Sequence, residues 1–181
     1  MLNFIVGSMI VCEAAFWVCI ILGLLLRYVL GKKTLGMALL SLTPVLDLYL
    51  LVVAGVDLYN GATATLAHAL AAVYIGVSIA FGRSMIRWAD ERFRYYVLKQ
   101  GEKPVKRYGM DYAIQDMKGV LRHAAAFVIG AGLLVFTDWA VGEASRTELL
   151  IQTVWKWMLI LGIDFLIGVS HFIWPKKQKP V

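Results

Sequence analysis

LGMALLSLTPVLDLYLLVVAGV, Leu35 to Val56, runs for 22 residues with one carboxylate, Asp47, and no lysine or arginine. About twenty predominantly apolar residues cross the roughly 30 Å hydrocarbon core of a bilayer as a helix. The stretch therefore predicts a transmembrane span with an acid near its centre. Pro44, three residues before Asp47, lacks a backbone N–H and predicts a bent or opened helix. It would leave the carbonyl of Leu40 without its usual partner beside the acid, an arrangement able to hold a cation or a water.

Four more stretches have the same character, so the predicted spans cover about 2–30, 35–56, 62–81, 120–141 and 149–174. The whole chain agrees: 181 residues, 60% hydrophobic and 17% charged, with mean hydropathy +0.72. Soluble domains are about half apolar and a quarter charged. The expected fold is an all-α, polytopic five-helix bundle forming a single membrane domain over 1–181, with 82–119 as a long connection. Short connections elsewhere make consecutive helices antiparallel neighbours. The third span is rich in small residues, among them Ala64, Ala71, Ala72 and Gly76, which let backbones approach closely, and it is expected to be central. The apolar start lacks a basic leader and a clear small-residue cleavage site, so it is expected to be a mature helix. Cys12 and Cys19 lie too far apart along one helix for a disulfide and are expected to be buried apolar side chains.

Of the 18 lysines and arginines, 16 fall at one predicted end of the bundle; only Arg146 and Lys156 do not. Lysine and arginine are retained on the cytoplasmic side, which predicts an outer N-terminus and, with five spans, an inner C-terminus. The 82–119 connection is expected to begin as a helix with Arg87/Glu91 and Asp90/Arg94 pairs. After a break at Gly101 and Pro104, Asp111 could cap a second short helix. Its basic, aromatic composition suits an anionic headgroup layer, with Arg83, Arg87, Arg92, Arg94, Lys99 and Lys103 as lipid contacts. Topology accounts for this charge, and no nucleic-acid partner is expected.

The ionisable groups at membrane depth are the candidate site: Glu13, Asp47, His68 and Asp164. If they share one interior cavity, they suit a proton relay or a divalent cation; if scattered, dry and individually satisfied, they are hydrogen-bonded glue between helices. Asp138 and Lys156 are expected to form an ion pair. Gly168 and His171 share a face with Asp164, pointing that face at a close neighbour. His123 and His171 are expected at similar depth on neighbouring helices, where two imidazoles can ligate haem, though no other haem cue accompanies them. Trp17, Trp139, Trp155, Trp157 and Trp174 read as packing or interface anchors. No metal-ligand spacing specifies a metal or cofactor, and no nucleophile with a matched base predicts an enzyme.

Several stretches carry a family resemblance: Phe16-Trp17 followed by Leu25-Leu26-Arg27-Tyr28-Val29; Thr43-Pro44-Val45-Leu46-Asp47-Leu48; Asn60-Gly61-Ala62-Thr63-Ala64 leading to His68 and Ala71-Ala72-Val73-Tyr74-Ile75-Gly76; Trp88-Ala89-Asp90-Glu91-Arg92-Phe93; and Leu161-Gly162-Ile163-Asp164-Phe165 with Ile173-Trp174-Pro175-Lys176-Lys177. Along nearly its whole length the chain resembles the YmcC-type integral membrane proteins of bacilli. The resemblance implies a bacterial cytoplasmic membrane and supplies no activity or catalytic residues. The functional expectation is a small proton- or cation-handling transporter or channel subunit, working as a homodimer or with a protein partner. The competing expectation is a noncatalytic adaptor whose basic segment binds anionic lipid or a protein.

Overall fold

Peptide groups within a bilayer have no water to bond, so long apolar runs satisfy them internally as helices. The computed structural model describes residues 2–96, 99 and 107–176, apart from the side chains of residues 2–6, 8, 9, 13, 89 and 93. Helix α1, Leu2–Leu24, continues into a π-helical turn, Leu25–Val29. Helix α2 is Lys33–Tyr59, α3 is Leu66–Tyr96, α4 is Gly109–Val141 and α5 is Ala144–Ile173. All five are long and apolar enough to cross a membrane, and no strand occurs among the described residues.

The turns explain where the helices stop. Gly31 takes φ +68°, a left-handed conformation that side chains resist, and reverses the chain between α1 and α2. Gly142, at φ +69°, closes α4 by donating its N–H to the Asp138 carbonyl. Helix α3 begins at Leu66, later than expected, and Thr65 just before it gives its backbone N–H to the His68 ring in the first turn. Helix α4 begins at Gly109, well before the expected start at 120, and absorbs the separate short helix expected near Asp111. Asp111 instead lies in its first turn, where a carboxylate complements the helix dipole.

At about 1.5 Å per residue, α3 and α4 are roughly 45–50 Å long, more than a bilayer's hydrocarbon core. Both extend past it at the end carrying Lys32 and Lys33, where the Gly109 N–H also bonds the Lys176 carbonyl at 2.9 Å.

Helix α1 packs on α2, α2 on α3, α3 on α4 and α4 on α5, while α3 also touches α5. Glycine sets the closest approaches. A Cβ at Gly76 would run into the Ala126 carbonyl, and one at Gly130 would fall 2.5 Å from the Trp157 ring. The core centres on Leu58, Ala69, Ala72, Leu134 and Leu150. Most other large apolar side chains face outward, including Trp17, Trp139, Trp155 and Trp174. A surface this apolar has lipid as its natural solvent. Trp157 departs from that pattern and is buried.

Candidate functional site

Of the expected intramembrane residues, Asp47, His68 and Asp164 do not gather in one cavity. Asp47 lies among α1, α2 and α3; His68 is near the α2–α3 turn; Asp164 is on the α4–α5 seam. Residue 13 is helical in α1, but the Glu13 side chain is outside the described residues. Among the described residues, no three His, Cys, Asp or Glu side chains are grouped to hold a metal ion.

Asp47 is 1% exposed, and among the described residues neither carboxylate oxygen has a hydrogen-bond partner. Among the described residues Cys12 of α1 and Ser78 of α3 are the polar groups beside it, the serine without reaching hydrogen-bonding geometry. The Cys12 thiol donates to the Leu46 carbonyl at 3.5 Å. Helix α2 runs unbroken through Pro44. The carbonyl of Leu40 is not left free as expected, because the Thr43 hydroxyl donates to it at 2.9 Å. A threonine immediately before the proline supplies the lost donor. Beside Pro44 the unsatisfied groups are thus the two oxygens of Asp47 itself; elsewhere in the bundle Nε2 of His68 is likewise buried without a hydrogen bond among the described residues.

His68 is 5% exposed and structurally engaged. Its Nδ1 accepts the Thr65 backbone N–H at 3.2 Å and lies 2.6 Å from the Thr65 hydroxyl. This is one half of a capping box, with imidazole in the place of the usual Glu or Gln. The accepted N–H puts the imidazole proton on Nε2, which faces Asp57 Oδ2 at 3.6 Å. Thr65 and His68 sit close together because they are three residues apart at a helix start, which explains the contact without catalysis.

Between α4 and α5 two His–Asp pairs form in mirror fashion. His123 Nδ1 is 3.0 Å from Asp164 Oδ2, and His171 Nδ1 is 2.8 Å from Asp116 Oδ2. The Trp157 indole N–H donates to His123 Nε2 at 2.9 Å. Tyr112 meets the His171 ring edge-on, and the Lys176 ammonium stands 4.6 Å from the Tyr112 ring centre. Gly168 contacts Val120, as its shared face with Asp164 and His171 predicted. The histidines are offset by the seven residues that separate each from the other pair's acid, roughly 10 Å along the seam. They do not face one another, so the haem arrangement is excluded by geometry.

Two other expected pairings are replaced. Asp138 accepts the Thr147 hydroxyl, while Lys156 is exposed further along α5. Asp90 does not use Arg94 as its hydrogen-bonding partner; it grips Arg27 through both carboxylate oxygens and accepts the Tyr28 hydroxyl at 2.9 Å. Arg27 is therefore buried in an ion pair, not free on a surface. Arg146 bonds the carbonyls of Leu58 and Ala62 beyond the end of α2. Of the expected lipid contacts, Arg83, Arg87, Arg92, Arg94 and Lys99 are exposed, with the Arg92 guanidinium 5.2 Å from the Trp88 ring centre. Lys103 lies outside the described residues.

The chain is 57% identical over 178 residues to the uncharacterized membrane protein YmcC of Bacillus subtilis (strain 168), covering 98% of this chain and 96% of that one. No family model matches it, and no solved structure does.

Proposed function

Because the chain belongs to the YmcC family of membrane proteins, we propose that it handles protons or small cations as a transporter or channel subunit, with Asp47 as the loading group. The observation that carries this reading is a carboxylate 1% exposed with both oxygens unpaired among the described residues. An ionised carboxylate stranded in a medium of low polarity is strongly unfavourable. Such a group must take up a proton or a cation, and intramembrane acids serve proton and ion pathways for that reason. A proton is the better occupant. Calcium takes six to eight oxygens and magnesium a near-ideal octahedron, whereas among the described residues one carboxylate is joined by a hydroxyl and a thiol.

The setting is a bacterial cytoplasmic membrane with the N-terminus outside and the basic end inside. Five helices seldom enclose a pathway alone, so a homodimer or a partner completes it. Purified protein in lipid vesicles tests the reading. Asp47→Asn should reduce proton flux, followed with an internal pH dye, to that of empty vesicles while leaving the helical spectrum unchanged. Flux equal to that of the unaltered protein overturns it.

The exposed row Arg83, Arg87, Arg92, Arg94 and Lys99 supports a second reading, a noncatalytic adaptor held to anionic lipid or a protein. Deleting residues 99–106 would then abolish binding to anionic vesicles or a partner, while Asp47→Asn would leave it intact.

A further inference from the structure

Trp157 settles which atoms of the deeper His–Asp pair carry protons. An indole N–H can only donate, and it points at Nε2 of His123 from 2.9 Å. Nε2 is therefore the bare, accepting nitrogen, and the proton of the neutral ring sits on Nδ1, facing Oδ2 of Asp164 at 3.0 Å. A His–Asp pair inside a membrane ordinarily cancels its charge by adding a second proton to the ring, forming imidazolium and carboxylate. Here that proton would meet the indole N–H head on. With Asp164 ionised, the pair is left with one uncompensated negative charge.

We propose that Asp164 is an intramembrane proton-binding site, loaded at Oδ1, and that Trp157 is the positioning residue that directs the proton to the carboxylate instead of the imidazole. Among the described residues Oδ1 has no hydrogen-bond partner, and the Asp164 side chain is 42% exposed at the edge of the seam. Loading takes a proton from water onto Oδ1; the pair becomes neutral, and the bonds from His123 to Oδ2 and from Trp157 to His123 stay in place. The neighbouring charges do not compensate the site. Arg122, beside His123 on α4, and Lys156, beside Trp157 on α5, are exposed, and neither pairs with Asp164 among the described residues. Helix α3 presents Ala72 and Gly76 to this part of α4.

The shallower pair provides the contrast. His171 touches Asp116 and the edge of Tyr112, with no indole N–H on its ring.

The inference deepens the proton-handling reading and rests on it for its purpose, but its test reads protonation directly, so either can fail alone. Infrared difference spectra of the full-length protein in lipid nanodiscs, titrated with acid, should contain a protonated-carboxyl band that disappears in Asp164→Asn. In Trp157→Phe, which keeps an aromatic ring and removes the N–H, that band should be lost as the proton moves to His123. Retention of every carboxyl band in Asp164→Asn overturns the site; retention of the Asp164 band in Trp157→Phe overturns the role of the indole. Nitrogen NMR of the unaltered protein should find His123 neutral with its proton on Nδ1 throughout loading. An imidazolium there overturns the proposal without any variant having to fold. A band that titrates with sodium at fixed pH, in place of protons, also overturns it.

Discussion

Arg27 shows what a single buried charge demands. It lies in the π-helical turn after α1 at 9% exposure, and its guanidinium engages both oxygens of Asp90 from α3. Removing one member of such a pair leaves the other desolvated, at a cost of about 3–5 kcal/mol. Arg27→Ala is expected to lose about 3 kcal/mol, the low end, because the Asp90 side chain remains 28% exposed and water recovers part of the loss. Arg27→Lys should not restore stability, since an ammonium cannot match the two-pronged grip. Arg27→Met combined with Asp90→Leu should recover more than either single change, as measured by unfolding in mixed micelles. The sequence displays both residues but not their meeting, because they lie 63 positions apart and no spacing rule joins them. Asp47 is the opposite case. One acid in an apolar run is visible at once, and the structure adds only that nothing satisfies it.

Helix spacing made more of the site legible than the residue list did. On α4 an acid precedes a histidine by seven residues, Asp116 and His123; on α5 the same order recurs, Asp164 and His171. Antiparallel neighbours with that mirrored spacing bring each histidine to the other's acid, as found. The same alignment places Asp138 opposite Thr147, and Lys156 is nine residues further on, roughly 13 Å away. Matching charges without aligning the helices therefore produced the wrong ion pair. The small residues of α3 gave the right neighbour for a packing reason that alanine and glycine frequency alone cannot grade. Gly76 meets the Ala126 carbonyl, whereas Gly132 has open space where a Cβ would go. Gly76→Ala should force α3 from α4 and cost about 1–3 kcal/mol, as overpacking does. Gly132→Ala should be neutral or stabilising by up to about 1 kcal/mol through helix propensity. Equal effects of the two in the same unfolding assay would remove the close α3–α4 approach as a determinant.

For the molecule as a whole, the expected orientation depends on where the ends of five helices collect. Gly31 and Lys32 join α1 to α2 at the same end where α3 and α4 extend and the Gly109 N–H bonds the Lys176 carbonyl. The α2–α3 and α4–α5 turns meet at the opposite end, where the Ala64 N–H bonds the Arg146 carbonyl. The charge imbalance in the sequence is thus an imbalance between two physical ends of one bundle. Retention of lysine and arginine on the cytoplasmic side then predicts that the Asn60 and Ser145 turns face outward. All four probe positions, Thr34, Asn60, Ser145 and Pro175, are exposed, so labelling reports sidedness instead of burial. In intact cells a membrane-impermeant maleimide should label Asn60→Cys and Ser145→Cys, and should reach Thr34→Cys and Pro175→Cys only after the cells are opened. Buried Cys12 and Cys19 should contribute little background. The reverse pattern would invert the protein, placing the shallower His171–Asp116 pair near the outer surface, so that a proton would reach the seam first from outside.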